Sequence, residues 1–348
     1  MAKKKSVLPD NFDDILQTRP TLQLIQLFEA YDVDARGGYS KKTALAYSQC
    51  PHEFAEWLIT HGADINAIDE YGNTPLHNRS RSHSGKIESL LKLGADVHAV
   101  NPFGTPLHNA CDSAHLENVR LLVQYGADLE AKPLNETPLE TLLFSCTNAT
   151  ISRVLPIAEF LLSAGARKTE KMKGYVKKIG ERFEFSRDVF NKELLEDTSN
   201  ALERLYITFE TEPVPRRKMH DGKTPIIVPP GTWQQQFGAL WKMLVPGNGP
   251  AASIQGEVIR VAGKIDHEIW SNGGANWGKP FNIMASAFIG YLQKGNALSE
   301  EQLYSIHQGK MHWGEQLEQT DILMQMAVIW VKKNPTPIEL PRNLEYSI

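Results

Sequence analysis

The chain has little cysteine, no excess of positive charge and no long apolar run, and each absence removes a class of protein. Three cysteines in 348 residues, Cys50, Cys111 and Cys146, are an odd number at spacings that fit no zinc site. A disulfide framework is excluded, and reduced core thiols are expected. Lys and Arg total 37 against 41 Asp and Glu, a formal net charge of −4. Neither half carries the positive excess with which a protein grips nucleic-acid phosphates. No stretch approaches the roughly 18 consecutive apolar residues that suggest a membrane span. The first residues meet Pro9, Asp10, Asp13 and Asp14 before any apolar run, so they do not read as a secretory signal. A cytoplasmic monomer without metal or cofactor is expected. Tryptophan is scarce and then abundant: six of the seven (Trp233, Trp241, Trp270, Trp277, Trp313 and Trp330) lie in the last third, which should own a separate aromatic-rich core.

What the first half does contain is self-similarity. Gly-Ala-Asp begins at Gly62, Gly94 and Gly126, 32 residues apart each time, and returns altered as Gly165-Ala166-Arg167. Thr-Pro-Leu-His begins at Thr74 and Thr105, with Thr137-Pro138-Leu139-Glu140 as a third copy and Thr43-Ala44-Leu45-Ala46 as a worn one. A threonine hydroxyl caps free amides and proline loses no hydrogen bond in the first turn, so a helix should start at each Thr-Pro-Leu. A second amphipathic run, such as Val119 to Val123, stops at a glycine suited to the left-handed position after a helix end. The Asp and the polar stretch after it turn the chain outward. Each unit is helix, turn, helix, projecting loop, and it cannot bury its apolar face alone, so copies must stack.

These phrases resemble the ankyrin repeat. The copy Thr105 to Asp128 follows the family pattern most fully, including Ala110, His115 and Leu121-Leu122, while Thr74 to Gly94 is one residue short, Thr43 to Gly62 two short and Thr137 to Gly165 seven long. The extra residues are placed in Ser145 to Leu155. The resemblance implies an all-α solenoid and hydrogen bonding between neighbouring repeats by His77 and His108. The expected organisation is a divergent capping helical pair in 1–38, ankyrin repeats in 39–171, a helical connector and Pro/basic linker in 172–218, and a second helical domain in 219–348. The run Asn78 to His83 replaces expected alanines and reads as a frayed, solvated helix or a basic contact patch.

The resemblance also implies protein recognition through a concave face built from loop tips and first helices. Mapped onto this chain, the partner-binding residues are Asp69, Glu70, Tyr71 and Asn73; Asn101 and Phe103; Leu134 and Asn135; and, from the first helices, Arg79, Arg81, Asp112 and Ser113. Aromatic and arginine side chains dominate interface hot spots. The partner is another protein; in a bacterial setting the chain would be an immunity or inhibitor protein masking a toxin or effector.

In the last third, Pro246 to Pro250 leads into a helix from about Ala252 to Trp270, ending at Asn272-Gly273-Gly274. Val258, Ala262, Ile265 and Ile269 make its apolar stripe; Glu257, Arg260, Lys264 and Glu268 make a charged one. The loop lacks the Gly-Lys-Ser/Thr ending of a phosphate-binding loop. Residues 231–335 look like a segment of bacterial proteins of unassigned function. A polar site of Gln255, Glu257, Arg260, His267, Asn272, Asn276 and Trp277 carries the alternative reading, an enzyme centred on Glu257, Arg260 and His267. A structural adaptor joining two partners is the third reading. His307 and His312 have no clear partner and read as surface or core residues.

Overall fold

A computed structural model describes residues 3–133, 135–310, 320–341, 344 and 346. The chain divides into two units, Met1–Glu181 with Lys192–Val214, and Arg182–Asn191 with Pro215–Ile348. Among the described residues there are sixteen α-helices and one three-stranded sheet.

The helical pair expected in 1–38 is present, and a three-stranded sheet that was not expected flanks it. Strand β1 (Lys5–Val7) runs parallel to β2 (Tyr31–Gly37), which pairs antiparallel with β3 (Lys42–Thr43). Helices α1 (Phe12–Thr18) and α2 (Thr21–Phe28) connect β1 to β2. The reason lies in the local pattern: Tyr31, Val33 and Ala35 alternate with Asp32, Asp34 and Arg36, a period of two that a helix cannot segregate. Phe12, Phe28, Tyr47 and Phe54 pack edge-on or tilted beneath these elements, with centroids 5.1 to 6.0 Å apart.

Four helical pairs follow. The worn copy keeps only one 3₁₀ turn, Ala44–Ala46, before α3 (His52–Thr60). The others are α4 (Pro75–Arg81) with α5 (Glu88–Lys92), α6 (Pro106–Asp112) with α7 (Leu116–Gln124), and α8 (Pro138–Phe144) with α9 (Ile151–Ser163). The seven extra residues of the last copy are divided between the loop 145–150 and a longer second helix.

Each signature residue has a mechanical role. Gly62, Gly94, Gly126 and Gly165 take φ of 85 to 109°, and the amide of the next alanine reaches back to the carbonyl of Leu58, Leu90, Leu122 or Leu161. This bond closes the helix end and requires the left-handed residue. Asp64, Asp96 and Asp128 then accept, at 2.9 Å, the amide two residues on, which makes the turn. Thr74, Thr105 and Thr137 form reciprocal capping boxes with His77, His108 and Glu140. His77 and His108 use their remaining nitrogen on the next repeat, meeting Gly104 O at 3.1 Å and Glu136 O at 3.0 Å. Glu140 meets the Thr169 hydroxyl at 2.8 Å instead.

Much of the stretch expected as a connector belongs to the first unit. Helix α11 (Leu195–Thr208) packs against α9 and buries Ala201, Leu202 and Leu205. Gly180, in α10 (Glu170–Ser186), leaves room for the Tyr206 hydroxyl, from which a β-carbon would be 1.8 Å away.

The second unit contains α12 (Trp233–Leu244), α13 (Ile254–Asn272), α14 (Lys279–Leu292), α15 (Glu300–Lys310) and α16 (Thr320–Lys333). Val258, Ala262, Ile265, Met284, Phe288 and Trp330 meet in its core. Helix α13 ends on Gly273 at φ 58°, as its Asn-Gly-Gly sequence requires. His312 and Trp313 lie outside the described residues.

Candidate functional site

The loop tips of the first unit are rigid constructions carrying exposed aromatics. Asp69 is buried and spends both carboxylate oxygens on its own loop: Oδ1 accepts from the amides of Tyr71 and Asn73 at 2.9 Å, and Oδ2 from the Asn73 and Asn78 side chains at 3.1 Å. Asn101 does the same one repeat later, accepting the Phe103 amide at 2.7 Å and donating to Asn73 Oδ1 at 2.6 Å. Asp69 and Asn101, expected to touch a partner, are therefore buried scaffold, and Asn73 is half-buried in the same network.

What these loops present is apolar. Tyr71 is 45% exposed and Phe103 58%. Tyr39, 89% exposed, stacks on Tyr71 with centroids 6.2 Å apart. Sequence reasoning missed Tyr39, although its signal was present: positions 39, 71 and 103 recur every 32 residues and are all aromatic. Ile68 and Val100, also 32 apart, are exposed beside them. Glu70 lies in the same row and pairs with Lys41 at 3.2 Å. The adjoining Tyr39 phenol, then desolvation and the nearby Glu70 and Asp69 charges, hold the Tyr71 phenol above its ordinary value. Asn135, the fourth position of the series, is exposed at φ 61°. Leu134 lies outside the described residues.

The first helices divide differently from expectation. Arg79 is fully buried, donating through Nε to Leu45 O at 2.7 Å and through Nη1 to Lys86 O at 3.1 Å. It ties its repeat to the one before and cannot reach a partner protein. Ser80 is buried too, so within the run 78–83 the helix holds to Arg81 and turns Arg79 and Ser80 inward, leaving Arg81 and His83 exposed. Arg81 remains exposed and donates to Asp112 Oδ2 at 3.0 Å, while Ser145 donates to Asp112 Oδ1 at 2.5 Å. Ser113 is half-buried, its hydroxyl turned back onto the carbonyl of Asn109 at 2.9 Å.

The polar residues of the second unit do not converge on one site. Gln255 is buried and clamps the tail after α16, donating to Asn334 O and Thr336 O and accepting from the Ile338 amide, all within 2.9 Å. Glu257 and Arg260 form a buried ion pair at 2.6 Å; Glu257 also accepts from the Ala251 amide at 3.0 Å and the Tyr346 hydroxyl at 2.9 Å. Burial opposes the Arg260 charge, but the Glu257 carboxylate outweighs it and raises the guanidinium above its ordinary value. The charged stripe expected on α13 is thus interior over its first turns, because the tail covers it. Asn272 and Asn276 bond Glu268 at 2.9 and 2.6 Å, which shapes the loop after α13. His267 is exposed, and Trp277 stacks on Phe281. Among the described residues no helix is long and apolar enough to cross a membrane, and no cluster of His, Cys, Asp and Glu could hold a metal.

A family model for ankyrin repeats in three copies matches residues 79–172, and one for ankyrin repeats in many copies matches residues 43–78. A search of curated proteins finds no match.

Proposed function

We propose, from the ankyrin repeats at 43–172, that the protein recognises another protein through its loop tips, with Tyr39, Tyr71 and Phe103 as apolar anchors. Ankyrin repeat domains are generally protein–protein interaction modules and typically non-enzymatic. The observation that supports this reading is the exposed aromatic row on loops locked by Asp69, Asn73 and Asn101. Preformed loops lose little conformational entropy on binding, and aromatic anchors bury large area with few torsions. Arg81, Asp112 and Glu70 supply the polar rim, where exposed charges steer encounter more than they hold the complex.

The finer form of the reading is an inhibitor or immunity role toward a bacterial toxin or effector. The enzyme alternative loses its support because Glu257 and Arg260 are already paired in the interior while His267 is exposed. The test is capture of the partner by the full chain, followed by affinity measurement with Tyr71→Ala/Phe103→Ala. The double variant should bind more weakly by about 2 kcal/mol or more with an unchanged Tm, since neither ring is part of the core. An unchanged affinity would move the binding surface elsewhere.

A further inference from the structure

The projecting loops carry a second series besides the aromatic one, and it is charged. Asp32, Asp64, Asp96 and Asp128 recur every 32 residues, and the first three stand seven residues ahead of Tyr39, Tyr71 and Phe103. All four are exposed. Each spends one carboxylate oxygen on the amide two residues on, at 2.9 Å, and among the described residues no cation or further donor meets the second oxygen.

The series is continuous in space as well as in sequence. The Asp34 side chain accepts the Asp64 amide at 3.1 Å, and the Asn66 side chain accepts the Asp96 amide at 3.0 Å, which ties each loop to the next. Burial first, and then the Asp64 and Asp32 charges, hold the Asp34 carboxyl above its ordinary value against the pull of the Asp64 amide and Arg36. Counter-charge is scarce: loops 31–42, 63–73, 95–104 and 127–135 hold eight acidic residues to four basic ones. Of those four, Lys41 is committed to Glu70, and Arg36 donates to the carbonyls of Lys41 and Ile68.

Spacing selects the kind of segment that fits. Tyr71 and Phe103 stand just before α4 and α6, which pack side by side. Packed helices lie about 8–10 Å apart, so successive tips repeat at about that interval. Side chains seven apart on a helix share a face at intervals of about 10.5 Å. Same-face residues of a strand come every ~6.7 Å and fall out of step with the repeats.

We propose that the loop tips receive an amphipathic helix of the partner protein, laid across the repeats, with an apolar stripe on Tyr39, Tyr71 and Phe103 and lysines or arginines on the flank that faces the aspartate series. This rests on the loop-tip reading and adds the form and the charge of what binds there. Long basic side chains lay their stems on apolar surface and carry the charge to its edge. A row of exposed carboxylates speeds the encounter with such a helix.

Fluorescence anisotropy with the full chain and three labelled peptides of about 18 residues, roughly 27 Å long as helices, tests it. The first carries a leucine stripe at helical spacing flanked by lysine, and the second the same stripe flanked by glutamate. The third has the composition of the first with leucine at alternate positions. Saturable binding of the first is expected, about tenfold or more tighter than of the other two, through several exposed ion pairs and a matched stripe. Tyr71→Ala/Phe103→Ala should weaken it, and salt raised from roughly 0.05 to 0.5 M should remove most of the preference for lysine over glutamate. Asp64→Asn/Asp96→Asn should reduce that preference at unchanged Tm, because asparagine keeps the oxygen that closes each turn. The proposal is overturned by absence of saturable binding of the first peptide, by equal or tighter binding of either other peptide, or by indifference to either double variant. The loop-tip reading falls separately, when a captured partner is itself indifferent to Tyr71→Ala/Phe103→Ala.

Discussion

His108 is the staple between the third and fourth repeats, and its removal tests how the stack is held. The ring is buried; it accepts the Thr105 amide at 3.1 Å, shares a hydrogen bond with the Thr105 hydroxyl at 2.8 Å, and meets Glu136 O at 3.0 Å. Gly104 makes room for it, since a β-carbon there would lie 2.7 Å from the ring. In His108→Ala the Thr105 amide and the Glu136 carbonyl lose their partner, and each buried group left unpaired costs about 1–3 kcal/mol. The carbonyl is only partly buried and regains water, so the total should be roughly 2–4 kcal/mol. A glutamine side chain keeps both a donor and an acceptor, so His108→Gln should recover part of the loss. Urea unfolding gives the magnitude, and hydrogen exchange gives the place. Amides of α8 and α9 should exchange faster while those of α3 keep their protection, because stacking couples nearest neighbours. A midpoint unchanged by His108→Ala, or equal loss of protection at both ends of the stack, would refute the staple.

Leu122, fully buried in α7, should cost about 2–5 kcal/mol as Leu122→Ala through lost burial and cavity formation, read as a shift in denaturation midpoint. His77 and His108 both have their affinity for a proton lowered, first by burial, against the opposing pull of their carbonyl partners. The unfolded chain therefore binds protons first. Stability should fall as pH drops below the unfolded histidine value of ~6.5 and be insensitive to these groups above it. Comparing unfolding at pH 7.5 and 5.5 for wild type and for His77→Gln/His108→Gln checks this, the double variant being the flatter. In the second unit, Arg260→Met leaves the buried Glu257 without its cation and should cost about 3–5 kcal/mol, whereas replacing both, Glu257→Leu/Arg260→Met, should cost less. A double replacement at least as damaging as the single one would show that the pair is not the relevant interaction.

The repeats were legible because their signature residues act at short range. Thr105 caps the amide three residues on, Gly126 turns the chain where it stands, and Asp128 binds the amide of Glu130. Such interactions are written into spacing, so the helices of the repeats, their ends and the exposure of Tyr71 and Phe103 followed from the amino-acid order. Even the strand 31–37 and the tip residue Tyr39 carried a signal, the alternation of apolar and charged side chains in one and a 32-residue recurrence in the other.

Burial of polar groups was decided elsewhere. Arg79 occupies an alanine position, and only the placement of Leu45 O and Lys86 O around it makes an interior guanidinium tenable. Asp69 and Asn101 have the composition of contact residues, but their hydrogen bonds to Asn73, Asn78 and Phe103 make them the frame of the loops. Glu257 and Arg260 read as a solvated stripe on α13 until the tail, held by Gln255 some 80 positions upstream, covers them. The sequence alone determines which groups are available and which local turns they close. Whether a charged side chain faces water or the interior depends on segments that arrive from far along the chain, and those are set by packing, which no local spacing encodes.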